Sequence, residues 1–130
     1  MINAVNSLEQ TLEENQPISF DSYNFGGRCS STNNTNFLIT KTGVYKIEAN
    51  INVAPTVAGQ VELDVIANGD TIPGAKIYTL GTTVGTFESG STSVIVPIIA
   101  GTRISVVNKT ETNPVTIAAN SSSIIIRRVA

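Results

Sequence analysis

The chain has 130 residues, of which only 14% are charged, and a formal net charge of −2. That length suits one domain with its own hydrophobic core. Without an excess of Lys and Arg the chain offers no broad attraction to phosphate, which argues against nucleic acid as a partner.

The first 16 residues carry a helical pattern. Val5, Leu8 and Leu12 follow the spacing i, i+3, i+7, which places them on one face of a helix. A helix this short is unstable alone, so the apolar stripe needs a partner. We therefore predict that residues 1–16 form a separate docking or trimerisation segment. An extended arm that never becomes helical is the alternative.

The same segment bears on where the chain works. It has no basic region, no apolar run and no cleavage site, so we expect no export by a signal peptide. No stretch of the chain approaches the roughly 20 apolar residues that cross a bilayer. The sequence thus predicts no membrane partner.

From Pro17 onward the hydrophobic period is two, which predicts a β domain over residues 17–130. The clearest strand runs from Tyr45 to Val53, with apolar and polar residues in strict alternation. Asn68-Gly69 follows the next alternating segment and is a strong two-residue hairpin signal. Pro73-Gly74 interrupts the return strand, as expected at a sheet edge or bulge.

The C-terminal third contains two segments that are apolar on both faces. These are Val94 to Ile99 and Ile124-Ile125-Ile126. Because a single sandwich has one interior, the second face of each segment needs cover, either from another subunit or from a loop. In all, eight or nine short strands separated by turn signals predict an antiparallel sandwich or barrel.

Two of these segments resemble a known family. Thr42-Gly43-Val44-Tyr45-Lys46-Ile47 and the hairpin Ala67 to Ala75 resemble jelly rolls of the tumour necrosis factor and complement globular-head superfamily, in its small bacterial and phage branch. The closing Ser123 to Arg128 looks like the family's final central strand. The resemblance covers about residues 17 to 130.

The resemblance implies an all-β, antiparallel jelly-roll sandwich that packs as a homotrimer. On this basis we predict that the subunit interface is formed by Val94, Val96, Ile98, Ile124, Ile126 and Arg128. The chain departs from stalked members because it has no Gly-x-y repeat, and it lacks the aromatic-rich last strand of the vertebrate members. No receptor-binding residue is carried over.

The chain contains few of the residue types and motifs that catalytic sites commonly use. The chain has no histidine, which excludes Ser-His and Cys-His pairs, and its single Cys29 cannot form an internal disulfide. Gly26-Gly27-Arg28 is interpreted as a turn rather than a phosphate-binding loop. Glu62 and Asp64 are interpreted as a solvated strand face, with a glycosidase pair or a calcium site as weaker alternatives. We expect no cofactor, no metal and no enzyme activity.

Two functions remain from this inventory. The first is a structural or display protein of a bacteriophage virion, such as a capsid decoration or short head fibre anchored by the N-terminal segment. The second is a glycan- or receptor-binding module of a phage tail or of a bacterial or spore surface. The low aromatic content, 5%, weakens the second because sugar sites commonly use exposed rings.

Overall fold

The structure is a computed structural model, and it describes residues 2–25, 29–31, 34–111 and 113–130. These ranges contain antiparallel strands and no helix, which confirms the all-β prediction. The strands are β1 (Ile2–Val5), β2 (Gln10–Leu12), β3 (Ser22–Phe25), β4 (Cys29–Ser31), β5 (Phe37–Ile39), β6 (Gly43–Pro55), β7 (Val61–Ala67), β8 (Asp70–Thr79), β9 (Glu88–Ile98), β10 (Arg103–Asn108), β11 (Val115–Ile117) and β12 (Ser123–Arg128). The turn predicted at Gly26-Gly27-Arg28 and the side chain of Cys29 lie outside the described part.

The strands form two sheets that face each other as a sandwich. In the first sheet the order is β2-β11-β6-β12-β1-β3, and β9 pairs with the other side of β6. In the second sheet the order is β4-β5-β10-β7-β8. Non-consecutive strands are neighbours in both sheets, as a jelly roll requires. The predicted jelly-roll sandwich is therefore confirmed.

Strand β6 supplies the centre of the core, as its alternation predicts. Its inward side chains, from Tyr45 to Val53 at every second position, are fully buried. They meet the inward residues of β7 and β10, such as Leu63 and Val106, in one continuous hydrophobic cluster. Burial of this apolar surface is the main source of stability in the domain.

The hairpin between β7 and β8 also follows the prediction. Asn68 and Gly69 both adopt positive φ, 48° and 88°, as a two-residue turn of this kind demands. Beyond the turn, Gly74 has φ 81° within β8, which is an edge strand of the second sheet. The Pro73-Gly74 interruption thus lies at a sheet edge, where the missing proline donor is tolerated.

The predicted N-terminal helix is wrong, whereas the alternative of an extended segment that never becomes helical describes its conformation. Residues 2–5 form β1, which lies between β12 and β3, and residues 10–12 form β2, which pairs with β11. Ile2 and Ala4 are fully buried, and Leu12 is also in the core. Of the predicted stripe, Leu12 points inward while Leu8 is 70% exposed, so the three residues share no face. The proposed boundary at residue 16 divides no structural unit.

Asn6 explains why the chain turns here instead of coiling into a helix. Its side chain is fully buried and donates to the carbonyl oxygens of Leu8 and Ala118, at 3.1 and 2.7 Å. Its Oδ1 accepts from the amide of Ser122 at 3.0 Å. These bonds satisfy a buried amide and redirect the chain from β1 toward β2.

Hydrogen bonds also connect this turn to the residue that precedes β3. The carboxylate of Asp21 accepts hydrogen bonds from the hydroxyl and the backbone amide of Ser7. These two bonds lower the pKa of Asp21 below its ordinary value. The segment before residue 17 is thus held in the sandwich by backbone hydrogen bonds between strands and by side-chain hydrogen bonds.

Candidate functional site

The outward face of the first sheet is the surface that carries the surplus apolar residues. The register of β6 with β9 and β12 places Lys46 between Ile95 and Arg127, and Glu48 between Ser93 and Ile125. We define the outward face by six side chains on these three strands: Val44, Lys46, Glu48, Ile95, Pro97 and Ile125.

Exposure differs among the apolar residues of this face: Ile95 is 66% exposed, and Ile99, which follows the end of β9, is 68% exposed, whereas Val44 and Ile125 are half-buried. Lys46 and Glu48 neutralise each other, because Lys46 Nζ lies 3.0 Å from Glu48 Oε1. Arg127, across the ladder from Lys46, adds one positive charge to the face. A face with bare isoleucines and an internally paired charge is suited to contact with another protein surface.

Five of the six predicted interface residues point toward the core instead of outward from the first sheet. Val94, Val96 and Ile98 alternate inward along β9, and Ile98 is buried in the core. Ile124 and Ile126 are fully buried between the sheets, opposite Ala49 and Ile47. Ile98, Ile124 and Ile126 are buried in the core and cannot touch a second subunit, so their assignment to the interface is wrong. Val94 and Val96 pack against the core but are only partly buried, and their contact with another subunit stays a prediction. Ile95 and Ile125, each adjacent in sequence to one of these residues, face outward and can contact a second subunit.

Arg128, the sixth predicted interface residue, lies at the end of β12. Its guanidinium packs over the backbone of Gly43, where an added Cβ would lie 2.2 Å from Nε. Its terminal nitrogen Nη2 donates to the Thr42 carbonyl oxygen at 3.3 Å. Arg128 therefore covers the start of β6, and a contact with another subunit remains a prediction.

The half of this sheet beside the isoleucines is polar. Ser89, Ser91 and Ser93 of β9 lie opposite Asn52, Asn50 and Glu48 of β6. Two shallow depressions, of about 380 and 170 Å³, follow this ladder of hydroxyls and amides. Richness in Ser and Asn is the sole feature of the sequence that points to a site here.

A separate groove of about 370 Å³ lies on the second sheet. Ile66 and Val107 are at its base, and Pro17 forms a bridge with Val107 at one side. Lys109 also lines the groove, and its ammonium donates to Asn15 Oδ1 at 2.8 Å. An apolar base with amide and ammonium groups beside it can hold a small ligand or a peptide.

The carboxylates of β7 do not form a catalytic pair. Asp64 is almost fully buried, contrary to the predicted solvated face, and its Oδ2 accepts from the Thr71 hydroxyl at 2.7 Å. Lys76 donates to Glu62 at 3.2 Å and lies 3.9 Å from Asp64. These carboxylates raise the pKa of Lys76, chiefly through the hydrogen bond that its ammonium donates to Glu62. The three groups form a local ion-pair network instead of an acid and a base across a cleft.

Two further kinds of feature, a metal site and a membrane-spanning helix, can be assessed in the described residues. Within the described residues no three His, Cys, Asp or Glu side chains come together as a metal site. In that same part of the chain no helix is long and apolar enough to cross a membrane.

One end of the sandwich presents exposed apolar loops. The loop after β6 and the loop after β8 are joined by hydrogen bonds from Gly59 to Gly81 and from Gly85 to Pro55. Their exposed apolar side chains are Val57, Leu80, Val84 and Phe87. Glu88 completes the junction by accepting from the Gly81 amide at 2.8 Å.

Gly81 is the residue on which this junction depends. It has φ 61°, and an added Cβ would lie 1.9 Å from the Gly59 carbonyl oxygen. We expect Gly81→Ala to cost about 2 kcal/mol or more in the free energy of unfolding, measured by denaturant titration. Gly85→Ala is the matched control, because Gly85 also has positive φ but has open space around it; we expect about 1 kcal/mol. Equal losses for the two variants would contradict this packing.

Comparisons with known proteins give a fold and no sequence family. No family model matches the chain, and no curated protein matches it either. Three solved structures resemble it over nearly all of its length. Eiger TNF from S. frugiperda has a TM-score of 0.78 at 13% identity, covering 100% of this chain and 92% of its own. The globular domain of zebrafish complement 1qA has 0.75 at 8%, covering 99% and 96%. Murine APRIL has 0.74 at 9%, covering 98% of each.

These similarities establish a tumour necrosis factor-like jelly roll. They confirm the fold that the resemblance implied, and they do not support its narrower assignment to a bacterial or phage branch.

Proposed function

We propose that this chain is a non-enzymatic display protein that assembles as a homotrimer through the outward face of its first sheet. The observation that carries the proposal is the exposure of Ile95 and Ile99 on a chain whose core is already filled from the other side of the same strand. Covering these side chains removes apolar surface from water, which favours association.

Two further observations support self-association. The solved structures with this fold include ligands named as tumour necrosis factor-like proteins, whose class forms homotrimers. The Lys46–Glu48 pair is already made within one chain, so burying the face leaves no uncompensated charge from these two residues.

The particle that we propose for this display role is a bacteriophage virion, with the trimer as a capsid decoration or short head fibre. A jelly roll with exposed isoleucines on the outward face of one sheet supports a structural role. Anchoring through residues 1–16 is not retained, because β1 and β2 are inside the first sheet. The contact with the capsid protein then belongs to exposed loops.

Quantitative peptide mass spectrometry of purified phage particles from the source of this chain tests the virion role. We expect the chain to be present, and its copy number to be a multiple of three per attachment site. Its absence from washed particles, with the major capsid protein detected, would remove the virion proposal and leave the trimer standing.

The alternative is a glycan- or receptor-binding module, and the groove on the second sheet is the observation that favours it. The groove joins an apolar base to amide and ammonium groups, which suits a polar ligand with one apolar face. Saturable binding on a glycan array that is lost in Ser105→Trp, a substitution that fills the groove, would favour this alternative. Binding unchanged by the filled groove would count against it.

A further inference from the structure

One end of the sandwich presents two apolar loops that carry no charge. They are residues 56–60 and 80–87, which contain no Asp, Glu, Lys or Arg, and we call them the apolar tip. The apolar side chains that the tip presents to solvent are Val57, Leu80, Val84 and Phe87, exposed by 52, 72, 55 and 39%. Apolar side chains grouped in this way on a surface commonly mark a contact with another molecule or with a membrane.

The backbone of the apolar tip is hydrogen-bonded within the chain. The Gly59 amide donates to the Gly81 carbonyl oxygen at 2.9 Å, and the Gly85 amide donates to the Pro55 carbonyl oxygen at 3.1 Å. The Gly81 amide donates in turn to the carboxylate of Glu88 at 2.8 Å. These bonds fix the shape of the tip before any contact, and they satisfy amides that would otherwise need a partner outside the chain.

The apolar tip is separate from the outward face of the first sheet. Strand β6 carries Val44, Lys46 and Glu48 on that face and reaches the tip at Pro55. At a rise of about 3.3 Å per residue, the distance along β6 from Glu48 to Pro55 is roughly 20 Å. A trimer formed through the outward face therefore does not use the tip. Its three-fold symmetry places the three tips at one level along the axis.

We propose that the apolar tip inserts into the interfacial layer of a lipid bilayer with a zwitterionic headgroup. The apolar side chains leave water there, and the tip brings no ionised side chain that would have to be desolvated. Backbone groups that enter lipid need internal partners, which the bonds from Gly59 to Gly81 and from Gly85 to Pro55 supply for these groups.

This membrane contact is peripheral. The prediction of no membrane partner rested on the absence of a spanning segment, which a peripheral contact does not need. The proposal goes beyond the display role and rests neither on the trimer nor on the virion. A trimer would strengthen the contact, because three tips at one level can engage the same bilayer.

The charges beside the tip favour a zwitterionic headgroup over an anionic one. The loops 13–16 and 109–114 lie at the same end of the sandwich, because Val115 pairs with both Pro55 and Leu12. The charged side chains described in these loops are Glu13, Glu14, Lys109 and Glu111, three carboxylates and one ammonium. Anionic lipid attracts basic segments and repels a surface with this excess of carboxylates.

A protein partner and a second copy of this chain fit the tip less well. Protein interfaces form about one hydrogen bond per 100–200 Å², whereas the amides of Gly59, Gly81 and Gly85 already donate within the chain. Contact between the tips of two copies would bring their neighbouring carboxylates together. The apolar layer of a bilayer requires neither hydrogen bonds nor complementary charge.

Flotation with vesicles of phosphatidylcholine tests the proposal. We expect the wild-type chain to float with the vesicles, and to do so at about 0.1 M and about 1 M salt alike, because the contact is apolar. Leu80→Asp with Val84→Asp is expected to lower the bound fraction about tenfold or more, since each carboxylate would have to be desolvated. Leu8→Asp is the matched control, because Leu8 is as exposed as Leu80, 70% against 72%, but lies in the turn between β1 and β2. We expect this control to float as the wild type does, and circular dichroism checks that both variants are folded.

A tryptophan reporter shows whether the tip itself enters the bilayer. The chain contains no Trp, so Val84→Trp places a single fluorophore at the tip. We expect its emission to shift to shorter wavelength with vesicles and to be quenched by phosphatidylcholine brominated on the acyl chain. Leu8→Trp is the control and is expected to show neither change.

Three results would overturn the proposal. The first is a wild type that does not float, and the second is flotation of the doubly substituted variant equal to that of the wild type. The third is binding that requires phosphatidylglycerol and is lost at about 1 M salt, which would be electrostatic adsorption. Absence of flotation together with binding to washed phage particles that Leu80→Asp abolishes would assign the tip to a protein surface instead. Light scattering and particle mass spectrometry report on the trimer and the virion role separately.

Discussion

Leu12→Asp is expected to destabilise the domain by about 4 kcal/mol or more, a large part of the stability of a domain this size. Leu12 ends β2, is 6% exposed and belongs to the continuous core. The substitution removes buried apolar surface and places a carboxylate among Val115 and other core residues without a partner. Thermal and urea unfolding followed by circular dichroism measure the loss.

Leu8→Asp is the matched control. It makes the same chemical change four residues away, but Leu8 is 70% exposed in the turn between β1 and β2. We expect a change within about 0.5 kcal/mol, as for other surface substitutions. A docking helix would present both leucines to the same partner and would leave the folded body unaffected by either change. Equal, small effects of the two substitutions on unfolding would therefore restore that model and contradict the strand.

Ile95→Asp is expected to convert the trimer to a monomer without unfolding it. The side chain is 66% exposed in the single chain, so a carboxylate there is solvated in the monomer and costs the fold little. In the trimer the same carboxylate is buried against a neighbouring subunit, where an unpaired charge costs several kcal/mol. Multi-angle light scattering on a sizing column measures the change, which we expect to be threefold in mass.

Leu38→Asp serves as the control for the assembly. Leu38 points outward from β5 on the second sheet, beside Arg103 across the ladder, so a carboxylate is tolerated there. This variant is expected to keep the wild-type mass. If Ile95→Asp also kept that mass while remaining folded, the outward face of the first sheet could not be the subunit interface.

The parts of the fold that the sequence predicts are those with long, regular patterns. Strand β6 shows its inward residues in strict alternation over nine positions, and the Asn68-Gly69 turn has a conformational requirement that few other pairs meet. The N-terminal strands span four and three residues, too few for a period of two to show. Val5, Leu8 and Leu12 then imitate a helical stripe, although a buried Asn6 and two separate ladders determine the real path.

The candidate site could likewise be predicted from the sequence only in part. That Val94 to Ile99 is apolar on both faces was visible in the sequence, and the structure confirms that one set faces the core and the other faces solvent. Which set faces inward depends on the register of β9 with β6, which no local pattern specifies. The same ambiguity in β12 led to Ile124 and Ile126 instead of Ile125.

The solution mass of the wild-type chain, measured by light scattering in high salt, tests the central claim most directly. High salt screens contacts between exposed charges and leaves apolar association through the outward face intact. We predict three times the 13.7 kDa of the chain, unchanged on dilution through the micromolar range. A particle of 13.7 kDa under these conditions would show that Ile95 and Ile99 remain bare in solution and would contradict the trimer.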